Sequence, residues 1–290
     1  MENRIDGHTK LFALIGSPVG HSGSPAMYNY SFERLGMNCA YLAFDIPLEE
    51  TSKALEALRT LHVGGFNVTM PCKTMAASLV DHLSDAAQLI GACNTVVVES
   101  DGTLTGHNTD GIGFIRNLKE HGISVKDKKI TVLGAGGAAT AICVQAALDG
   151  ASQINIFNRK DEFYKNGEET VQKIQTALPH VHISLTPLEE SQNLKNAIKN
   201  SDILVNATKV GMSPLDDGSL ADSSCFHQDL VVADTVYNPK ETRILRHAKE
   251  AGCKASIGGI GMLLWQGAAA FQLFTGKEMP AEEVREKFFS

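Results

Sequence analysis

The sequence lacks the features that mark several large classes of protein. Its six cysteines form no Cys-x-x-Cys pair, and none lies at zinc-finger spacing from a histidine. Basic residues are the minority, 26 against 33 acidic residues, which gives a formal net charge of -7. Surfaces that track phosphates need an excess of positive charge. We therefore expect reduced thiols, no metal site and no nucleic-acid partner.

The sequence also has little that would place it in a membrane. Its first ten residues lack the charged and then apolar pattern of a signal peptide, so we expect a cytoplasmic protein. One uncharged segment, Ala255–Gly276, is long enough to span a bilayer. Glycines interrupt its first half, and Gln266 and Gln272 would be costly in lipid. We expect this segment inside the protein and no membrane partner.

What remains is the composition of a folded globular protein, 43% hydrophobic and 20% charged. The length of 290 residues favours about two domains. Short β-branched runs alternate with helix-length segments, a pattern typical of α/β folds with parallel sheets. The pattern restarts near residue 112. We therefore predict one α/β domain over residues 1–112 and a second that begins at residue 113.

A glycine-rich turn follows the first strand of the predicted second domain. Ile130–Leu133 is predicted as a buried strand and 138–148 as a helix, and Gly134, Gly136 and Ala139 between them match G-x-G-x-x-A. In Rossmann folds such a turn brings the helix N-terminus against the pyrophosphate of a dinucleotide. A plain strand-to-helix turn would also explain these glycines, so the motif favours a dinucleotide site without establishing one.

The end of the next strand bears on which dinucleotide is bound. Phe157 closes that strand, and Asn158, Arg159, Lys160 and Asp161 follow it. A carboxylate at this place favours NAD by accepting the ribose 2′-hydroxyl, whereas Arg or Lys accommodates the 2′-phosphate of NADP. The segment holds both kinds of group, and a solvated loop and helix start would also account for them. We expect NAD to be preferred and leave NADP use open.

Polar side chains cluster in the predicted first domain, over residues 21–25, 67–73 and 106–111. The first two clusters follow predicted strands and the third opens a predicted helix. Together with Asn94, they supply Ser22, Ser24, Asn67, Thr69, Lys73, Asn108 and Asp110. Such a mixture of hydroxyls, amides, one ammonium and one carboxylate suits a small polyhydroxylated ligand that bears a carboxylate. Taken singly, Ser24, Asn108 and Asp110 are equally well explained as helix N-caps.

These motifs together resemble the shikimate dehydrogenase family, and most closely its quinate/shikimate dehydrogenase branch. The likeness to that branch lies in the segment Phe157–Phe163. The matching stretches run in order along most of the chain, over residues 21–25, 67–71 with Lys73, 91–95, 108–111, 134–138, 158–159, 206–212, 236–239 and 261–267.

The resemblance implies an NAD(P)-dependent oxidoreductase that acts on the 3-hydroxyl of a ring. It would interconvert shikimate and 3-dehydroshikimate, or quinate and 3-dehydroquinate, in the shikimate pathway of aromatic amino acid biosynthesis or in quinate use. The implied catalytic pair is Lys73 and Asp110, in which Asp110 orients the amine and the amine stabilises the oxyanion or relays its proton. The family is compatible with a monomer or a homodimer.

The resemblance also implies the division of the chain and its binding residues. A Rossmann domain over 113–258 would be followed by C-terminal helices, 259–290, that pack back on the first domain. Residues implied to bind substrate are Ser22, Ser24, Asn67, Thr69, Lys73, Asn94, Asp110, Tyr237 and Gln266. Residues implied to bind the cofactor are Gly134, Ala135, Gly136, Gly137, Ala138, Asn158, Arg159, Asp161, Lys209, Thr235, Val236, Tyr237, Asn238 and Gly259.

Two other functions stay open on the residues alone. A dinucleotide-binding sensor would use the glycine-rich turn without needing Lys73 and Asp110. A methyltransferase would hold S-adenosylmethionine over the same turn and would change no nicotinamide absorbance. Cys72, which precedes Lys73, is expected to be a packed residue rather than a reactive thiol.

Overall fold

The computed structural model describes residues 5–289, which form two compact α/β units. The first unit contains the described residues up to Thr109 and again from Gln266 onward. The second unit runs from Asp110 to Trp265. Within the described part of the chain, no helix has both the length and the apolar character needed to cross a bilayer.

The first unit alternates strands and helices along most of its length. Its strands are β1 (Lys10–Gly16), β2 (Cys39–Asp45), β3 (Gly65–Val68), β4 (His82–Leu83), β5 (Thr95–Val98) and β6 (Leu104–His107). Its helices are α1 (Ser24–Arg34), α2 (Thr51–Thr60), α3 (Lys73–Leu79) and α4 (Asp85–Ile90).

The second unit repeats the alternation more regularly. Its strands are β7 (Lys129–Leu133), β8 (Gln153–Asn158), β9 (His182–Pro187), β10 (Ile203–Asn206), β11 (Val231–Asp234) and β12 (Ala255–Ile257). Its helices are α5 (Asp110–Glu120), α6 (Gly137–Leu148), α7 (Tyr164–Ala177), α8 (Ser191–Lys199) and α9 (Arg243–Glu250). Helix α10 (Ile260–Thr275) begins in this unit, and its residues from Gln266 onward, with α11 (Ala281–Phe288), belong to the first unit.

The sheet of the first unit has the strand order β2-β1-β3-β5-β6-β4. β1 runs parallel to β2 and β3, and β4 runs parallel to β6, while β5 is antiparallel to both of its neighbours. The predicted mostly parallel sheet is confirmed. The sequence pattern missed β6, whose last residues we assigned to the start of a helix. A turn at Gly102 (φ +85°), in which Thr103 donates to the Asp101 carboxylate, returns the chain as a hairpin.

The C-terminal segment packs into the first unit through aromatic side chains. Phe271, fully buried, lies 5.4 Å from Phe32 and 6.1 Å from Tyr28 between ring centroids. The Tyr28 hydroxyl donates to the carbonyl of Gly267 at 3.1 Å. Burying a side chain of this size contributes roughly 1.5–3 kcal/mol of stability. The predicted return of the C-terminal helices to the first domain is confirmed, and it rests on this cluster.

The sheet of the second unit is entirely parallel, with the order β12-β11-β10-β7-β8-β9. This is the strand order of a dinucleotide-binding Rossmann fold, in which the direction of winding changes between the first and fourth strands. Here that switch point lies between β7 and β10. The predicted Rossmann domain is confirmed.

The limits of the second unit differ by a few residues from the predicted 113 and 258. Helix α5 belongs to it entirely, because Gly111 packs against the backbone of α6 and Asn117 donates to the carbonyl of Gly258 at 3.0 Å. The start of α10 also belongs to it, because the indole N–H of Trp265 donates to the Glu120 carboxylate at 2.7 Å. Such tertiary contacts leave no trace in the alternation of strands and helices.

The packing of α5 on α6 predicts an inverted effect for a helix glycine. Replacing glycine by alanine inside a helix normally stabilises it by about 1 kcal/mol. At Gly111, however, a Cβ would lie 2.4 Å from the carbonyl oxygen of Ala141. We expect Gly111→Ala to lower the free energy of unfolding by about 1–3 kcal/mol in urea denaturation.

The matched control is Gly137→Ala, at the first position of α6, where the described residues place no atom within 4 Å of the new Cβ apart from chain neighbours and the helix's own backbone. That variant should unfold at the urea concentration of the parent protein or slightly above it. A Gly111→Ala protein as stable as the control would show that the two helices do not approach as closely as described.

Candidate active site

A network of buried side chains joins the strand ends of the first unit. The Tyr41 hydroxyl donates to Oδ1 of Asn67 at 2.7 Å. Nδ2 of Asn67 in turn donates to the carbonyl of Asn94 at 3.1 Å and to the hydroxyl of Thr95 at 3.0 Å. Both amide hydrogens of Asn67 are therefore used within the protein. Its geometry is that of a side chain that holds β3 against β5.

Asn94 lies just before β5, 3% exposed, and its amide orientation is fixed by its neighbours. Oδ1 accepts the backbone N–H of Thr109 at 2.9 Å, the Thr109 hydroxyl at 3.2 Å and the Thr95 hydroxyl at 3.0 Å. Nδ2 must therefore occupy the other side of the amide plane. Asn108 is anchored as well, since its Nδ2 donates to the carbonyl of Ala92 at 3.1 Å.

Three predicted substrate residues carry hydroxyls at the carboxyl ends of β1 and β3. Ser22 accepts the backbone N–H of Ser24 at 3.2 Å. The N-cap of α1 is Gly23, so the N-cap interpretation of Ser24 is wrong, and Ser24 is the first helical residue. Within residues 5–289, the hydroxyls of Ser24 and Thr69 make no hydrogen bond. Both are half-buried, and both can serve a ligand.

Gly16 lets the ends of β1 and β3 approach each other. Its φ is +145°, and a Cβ there would lie 2.4 Å from Cγ2 of Thr69 and 2.8 Å from the carbonyl oxygen of Met70. The backbone N–H of Thr69 donates to the carbonyl of Ile15 at 2.9 Å. Glycine is required at this position, because only a residue without a Cβ leaves room for Thr69 beside the end of β1.

Lys73 begins α3, directly after the buried Cys72, and its carbonyl contacts the buried Cys93. Cys72 is fully buried, with Sγ 3.4 Å from the carbonyl oxygen of Ile46, and is the packed residue that we expected. The backbone N–H of Cys93 donates to the carbonyl of Lys73 at 3.2 Å. Burial raises the pKa of Cys93 to about 12, so this thiol stays protonated. Both cysteines are fully buried, so neither is placed to act as a nucleophile.

The remaining predicted substrate residues are distributed between the units. Gln266 lies in the part of α10 that belongs to the first unit, together with Lys73. Asp110 is the first residue of α5 and of the second unit, where a helix N-terminus favours a carboxylate. The pairing of Lys73 with Asp110 stays a prediction.

In the second unit, the glycine-rich turn occupies the switch point of the sheet. Gly134 follows β7 with a φ of +110°, and a Cβ there would lie 2.9 Å from the carbonyl oxygen of Ala207. Among the described residues, apart from chain neighbours and the helix's own backbone, no atom lies within 4 Å of the place a Cβ would take on Gly136 or Gly137. Glycine is thus forced at Gly134 by the protein itself, while the next two glycines face open space.

The N-terminus of α6 fits the pyrophosphate of a dinucleotide. Its N-cap is Gly136, which offers no side chain to the first N–H groups of the helix. Helix N-termini leave such donors unsatisfied, and the helix dipole favours negative charge there. Ala139 is buried where α6 packs on the sheet, as the small third residue of the motif requires.

The segment after β8 places one carboxylate and two cations together. Oδ1 of Asp161 accepts Nδ2 of Asn158 at 2.9 Å and the backbone N–H of Phe163 at 3.0 Å. Its Oδ2 makes no hydrogen bond with the described residues. Arg159 and Lys160 are exposed. Asp161 therefore shapes the turn with one oxygen and keeps the other accessible.

Two loops follow β10 and β11 and carry the other predicted cofactor residues. Lys209, Tyr237 and Asn238 are exposed, Thr235 is half-buried and Val236 is buried. Gly259 packs beneath the second loop, because a Cβ there would lie 2.3 Å from the carbonyl oxygen of Thr235. The loops are thus placed by backbone contacts that admit no larger residue.

Sequence reasoning assigned no role to the residues that end these two strands. Asn206 and Asp234 are 2% and 1% exposed, and Nδ2 of Asn206 donates to Oδ1 of Asp234 at 2.9 Å. One signal was available: each apolar run, Ile203–Val205 and Val231–Ala233, ends in a polar residue just before a loop. Tyr41, which anchors Asn67, gave no signal because tyrosine is ordinary in a buried strand.

The chain matches three family models in order. Residues 14–96 match the shikimate dehydrogenase substrate binding domain. Residues 117–235 match the shikimate / quinate 5-dehydrogenase family, and residues 259–287 match the shikimate 5'-dehydrogenase C-terminal domain.

Curated relatives and solved structures agree with these matches. Proteins named shikimate dehydrogenase (NADP(+)) from Listeria innocua and Streptococcus uberis are 48% and 47% identical to this chain and cover 99% and 100% of it, with 98% and 99% of their own lengths matched. The structure of shikimate 5-dehydrogenase from Listeria monocytogenes in complex with shikimate and NAD is 47% identical, with a TM-score of 0.96 over 99% of this chain and 98% of that one. Quinate dehydrogenase from Corynebacterium glutamicum in complex with NAD is 30% identical, with a TM-score of 0.86 over 97% and 99%. The chain therefore belongs to the shikimate dehydrogenase family.

Proposed function

We propose that this protein is a nicotinamide-dependent dehydrogenase that interconverts shikimate and 3-dehydroshikimate, with quinate and 3-dehydroquinate as a second substrate pair. The observation that carries the proposal is family membership over almost the full length of the chain. The named complex of the 47% identical relative contains shikimate and NAD. A sensor or a methyltransferase would not need the polar network of the first unit.

Substrate binding is assigned to the polar side chains of the first unit, with Asp110 and Tyr237 from the second. The hydroxyls of Ser24 and Thr69, which make no hydrogen bond with the described residues, and the oriented amide of Asn94 suit the ring hydroxyls and carboxylate of shikimate. The other assigned residues are Ser22, Lys73 and Gln266. Asn67 supports this set through Asn94 and Thr95, with its own amide committed to the protein.

The reaction requires a proton to leave the 3-hydroxyl oxygen while a hydride leaves the ring carbon that bears this hydroxyl. In the oxidation direction, the amine nitrogen of Lys73 accepts the hydroxyl proton. In the reduction direction, its ammonium donates that proton to the carbonyl oxygen as negative charge develops there. Asp110 orients the amine in both directions. The nicotinamide ring, when bound, supplies the hydride acceptor or donor.

The dinucleotide is assigned to the switch point of the second unit. The N–H groups at the start of α6, in the turn Gly134–Ala138, receive the pyrophosphate. Asn158, Arg159 and Asp161 border the adenosine ribose. The nicotinamide half is assigned to the loops after β10 and β11, through Lys209, Thr235, Val236, Tyr237, Asn238 and Gly259.

NAD is proposed as the preferred cofactor, with NADP also accepted. Oδ2 of Asp161 can accept a ribose 2′-hydroxyl, and its charge would repel a 2′-phosphate. Arg159 and Lys160 work in the opposite direction and leave NADP use open. The names of the curated relatives specify NADP(+), while both structures above hold NAD, so the relatives differ on this point.

We place the enzyme in the cytoplasm, where its free cysteines would stay reduced. Cys39, Cys72, Cys93, Cys143 and Cys225 are buried and Cys253 is half-buried, and no disulfide joins cysteines of the described residues. Both a monomer and a homodimer agree with the proposed chemistry.

Removing the amine of Lys73 should abolish most turnover. We expect Lys73→Ala to lower kcat for shikimate oxidation about 10²–10⁴-fold, because proton transfer at the hydroxyl oxygen loses its partner. The measurement is nicotinamide absorbance at saturating shikimate and dinucleotide, with circular dichroism to confirm the fold.

The matched control is Lys53→Ala, which removes an exposed lysine of α2 in the same unit. Its kcat should equal that of the parent enzyme. Parent-like turnover in Lys73→Ala would refute the role assigned to Lys73.

Removing the charge of Asp161 should move the cofactor preference toward NADP. Asp161→Asn keeps an oxygen for Asn158 and Phe163 but abolishes repulsion of a 2′-phosphate. We expect the ratio of kcat/KM for NADP to that for NAD to rise about tenfold, which corresponds to about 1.4 kcal/mol.

Glu162→Gln provides the control for charge alone, since Glu162 is exposed and makes no hydrogen bond with the described residues. The experiment compares both cofactors with both shikimate and quinate. A parent enzyme that already prefers NADP, or a ratio that Asp161→Asn leaves unchanged, would overturn the assignment of Asp161.

A further inference from the structure

The ends of β10 and β11 are tied together by a buried carboxylate that the proposed chemistry does not use. We propose that Asp234 is a positioning residue for the cofactor: through Asn206 and Thr242 it holds the loops 206–211 and 234–242 in the arrangement that receives the nicotinamide half. This inference rests on the proposed function, because it takes these loops to border the dinucleotide.

Each oxygen of Asp234 has its own set of donors. Oδ1 accepts Nδ2 of Asn206 and the backbone N–H of Val236, both at 2.9 Å. Oδ2 accepts the hydroxyl of Thr242 at 2.5 Å. The carboxylate thereby joins the end of β10, the loop after β11 and the start of α9.

Asn206 transmits this anchoring to the loop that carries Lys209. Its Nδ2 also donates to the carbonyl of Val210 at 2.9 Å, and its Oδ1 accepts the hydroxyl of Thr208 at 2.7 Å. The Thr208 hydroxyl in turn accepts the backbone N–H of Val210 at 3.1 Å. The two residues that flank Lys209 are therefore fixed from one amide, while Lys209 itself is exposed.

The Thr242 hydroxyl donates to Asp234 and does not cap the helix that Thr242 precedes. Thr242 is the N-cap of α9, where a threonine side chain normally accepts a backbone N–H of the first turn, yet within the described part of the chain it makes no such bond. Its methyl side also packs against the first loop, because a Cβ on Gly211 would lie 3.0 Å from Cγ2 of Thr242. Thr242 thus packs against Gly211 in the loop 206–211 and is hydrogen-bonded to Asp234, where the loop 234–242 begins.

The position is a costly one for an acid. Asp234 is 1% exposed and has no ion-pair partner among the described residues, and burial raises the pKa of this carboxyl. A buried carboxylate held only by neutral donors is a weak source of stability compared with an apolar residue of similar size. The physical benefit that distinguishes this carboxylate is geometric, since it accepts three donors from three separate segments at once.

The experiment measures dinucleotide binding directly, in addition to turnover. The dissociation constant of NADH is determined by titration calorimetry for the parent protein and for Asp234→Ala, Asp234→Asn, Thr242→Val and Thr242→Ser. Steady-state kinetics then give the KM for NAD, and the KM for shikimate at saturating NAD.

The dissociation constant for NADH should separate Asp234→Ala and Thr242→Val from the conservative variants Asp234→Asn and Thr242→Ser. Asp234→Ala and Thr242→Val should weaken NADH binding about tenfold or more, with the KM for NAD rising in parallel and the KM for shikimate changing less than about twofold. Thr242→Ser keeps the hydroxyl, and Asp234→Asn keeps one acceptor oxygen and can donate to Thr242, so both should bind within about threefold of the parent. Asp229→Asn, which removes an exposed charge in the same unit, should bind as the parent does.

Variants that lose thermal stability but bind NADH as tightly as the parent would overturn the inference and leave Asp234 a purely structural residue. Equal weakening of both KM values would also overturn it. If Asp234→Ala does not fold, the two Thr242 variants decide. NADH binding that is weakened in Thr242→Val and retained in Thr242→Ser supports the inference, and equal binding by the two variants overturns it. A parent protein that binds no dinucleotide would instead refute the proposed function.

Discussion

Buried polar groups at the ends of strands must be hydrogen-bonded, and the rest of both units is arranged around that requirement. Asn67 and Asn94 meet it in the first unit, and Asn206 and Asp234 meet it in the second. In each case the partners come from neighbouring strands or from the loops that follow them. The same bonds that satisfy these groups fix the loops on which the candidate binding residues lie.

Glycines complete this arrangement by letting backbone segments approach closely. Gly16 admits Thr69 at the end of β1, Gly134 admits Ala207 at the switch point, and Gly259 supports Thr235. Each position would place a Cβ within 3 Å of another atom. Side-chain networks and close backbone contacts therefore act together, and neither alone would define the sites.

Much of the fold could be predicted from the sequence because local patterns encode it. The alternation of apolar runs and helix-length segments indicated two α/β domains, and the turn at Gly134 marked the start of the Rossmann sheet. The short strand β6 was missed because its residues, Leu104–His107, continue directly into polar residues typical of a helix start. The unit limits at Asp110 and Trp265 depend on contacts of α5 with α6 and α10, which no local pattern records.

The candidate site was predictable in its residue types and less so in their roles. Ser24 and Thr69 were identified by position after a strand, and the structure leaves their hydroxyls available. Asn67 was grouped with them, although both of its amide hydrogens are bound inside the protein. Asp234 and Tyr41 received no role, because what they do depends on partners far away in sequence.

The proposed function requires direct hydride transfer between a polyhydroxylated ring acid and a nicotinamide held by the second unit. The most direct measurement uses shikimate deuterated at the carbon that bears the 3-hydroxyl, with NAD and the parent enzyme, followed by mass spectrometry of the cofactor. Direct transfer predicts one deuterium in the reduced nicotinamide ring and 3-dehydroshikimate as the product. Reduced cofactor without deuterium, or no reduced cofactor with either NAD or NADP, would contradict it.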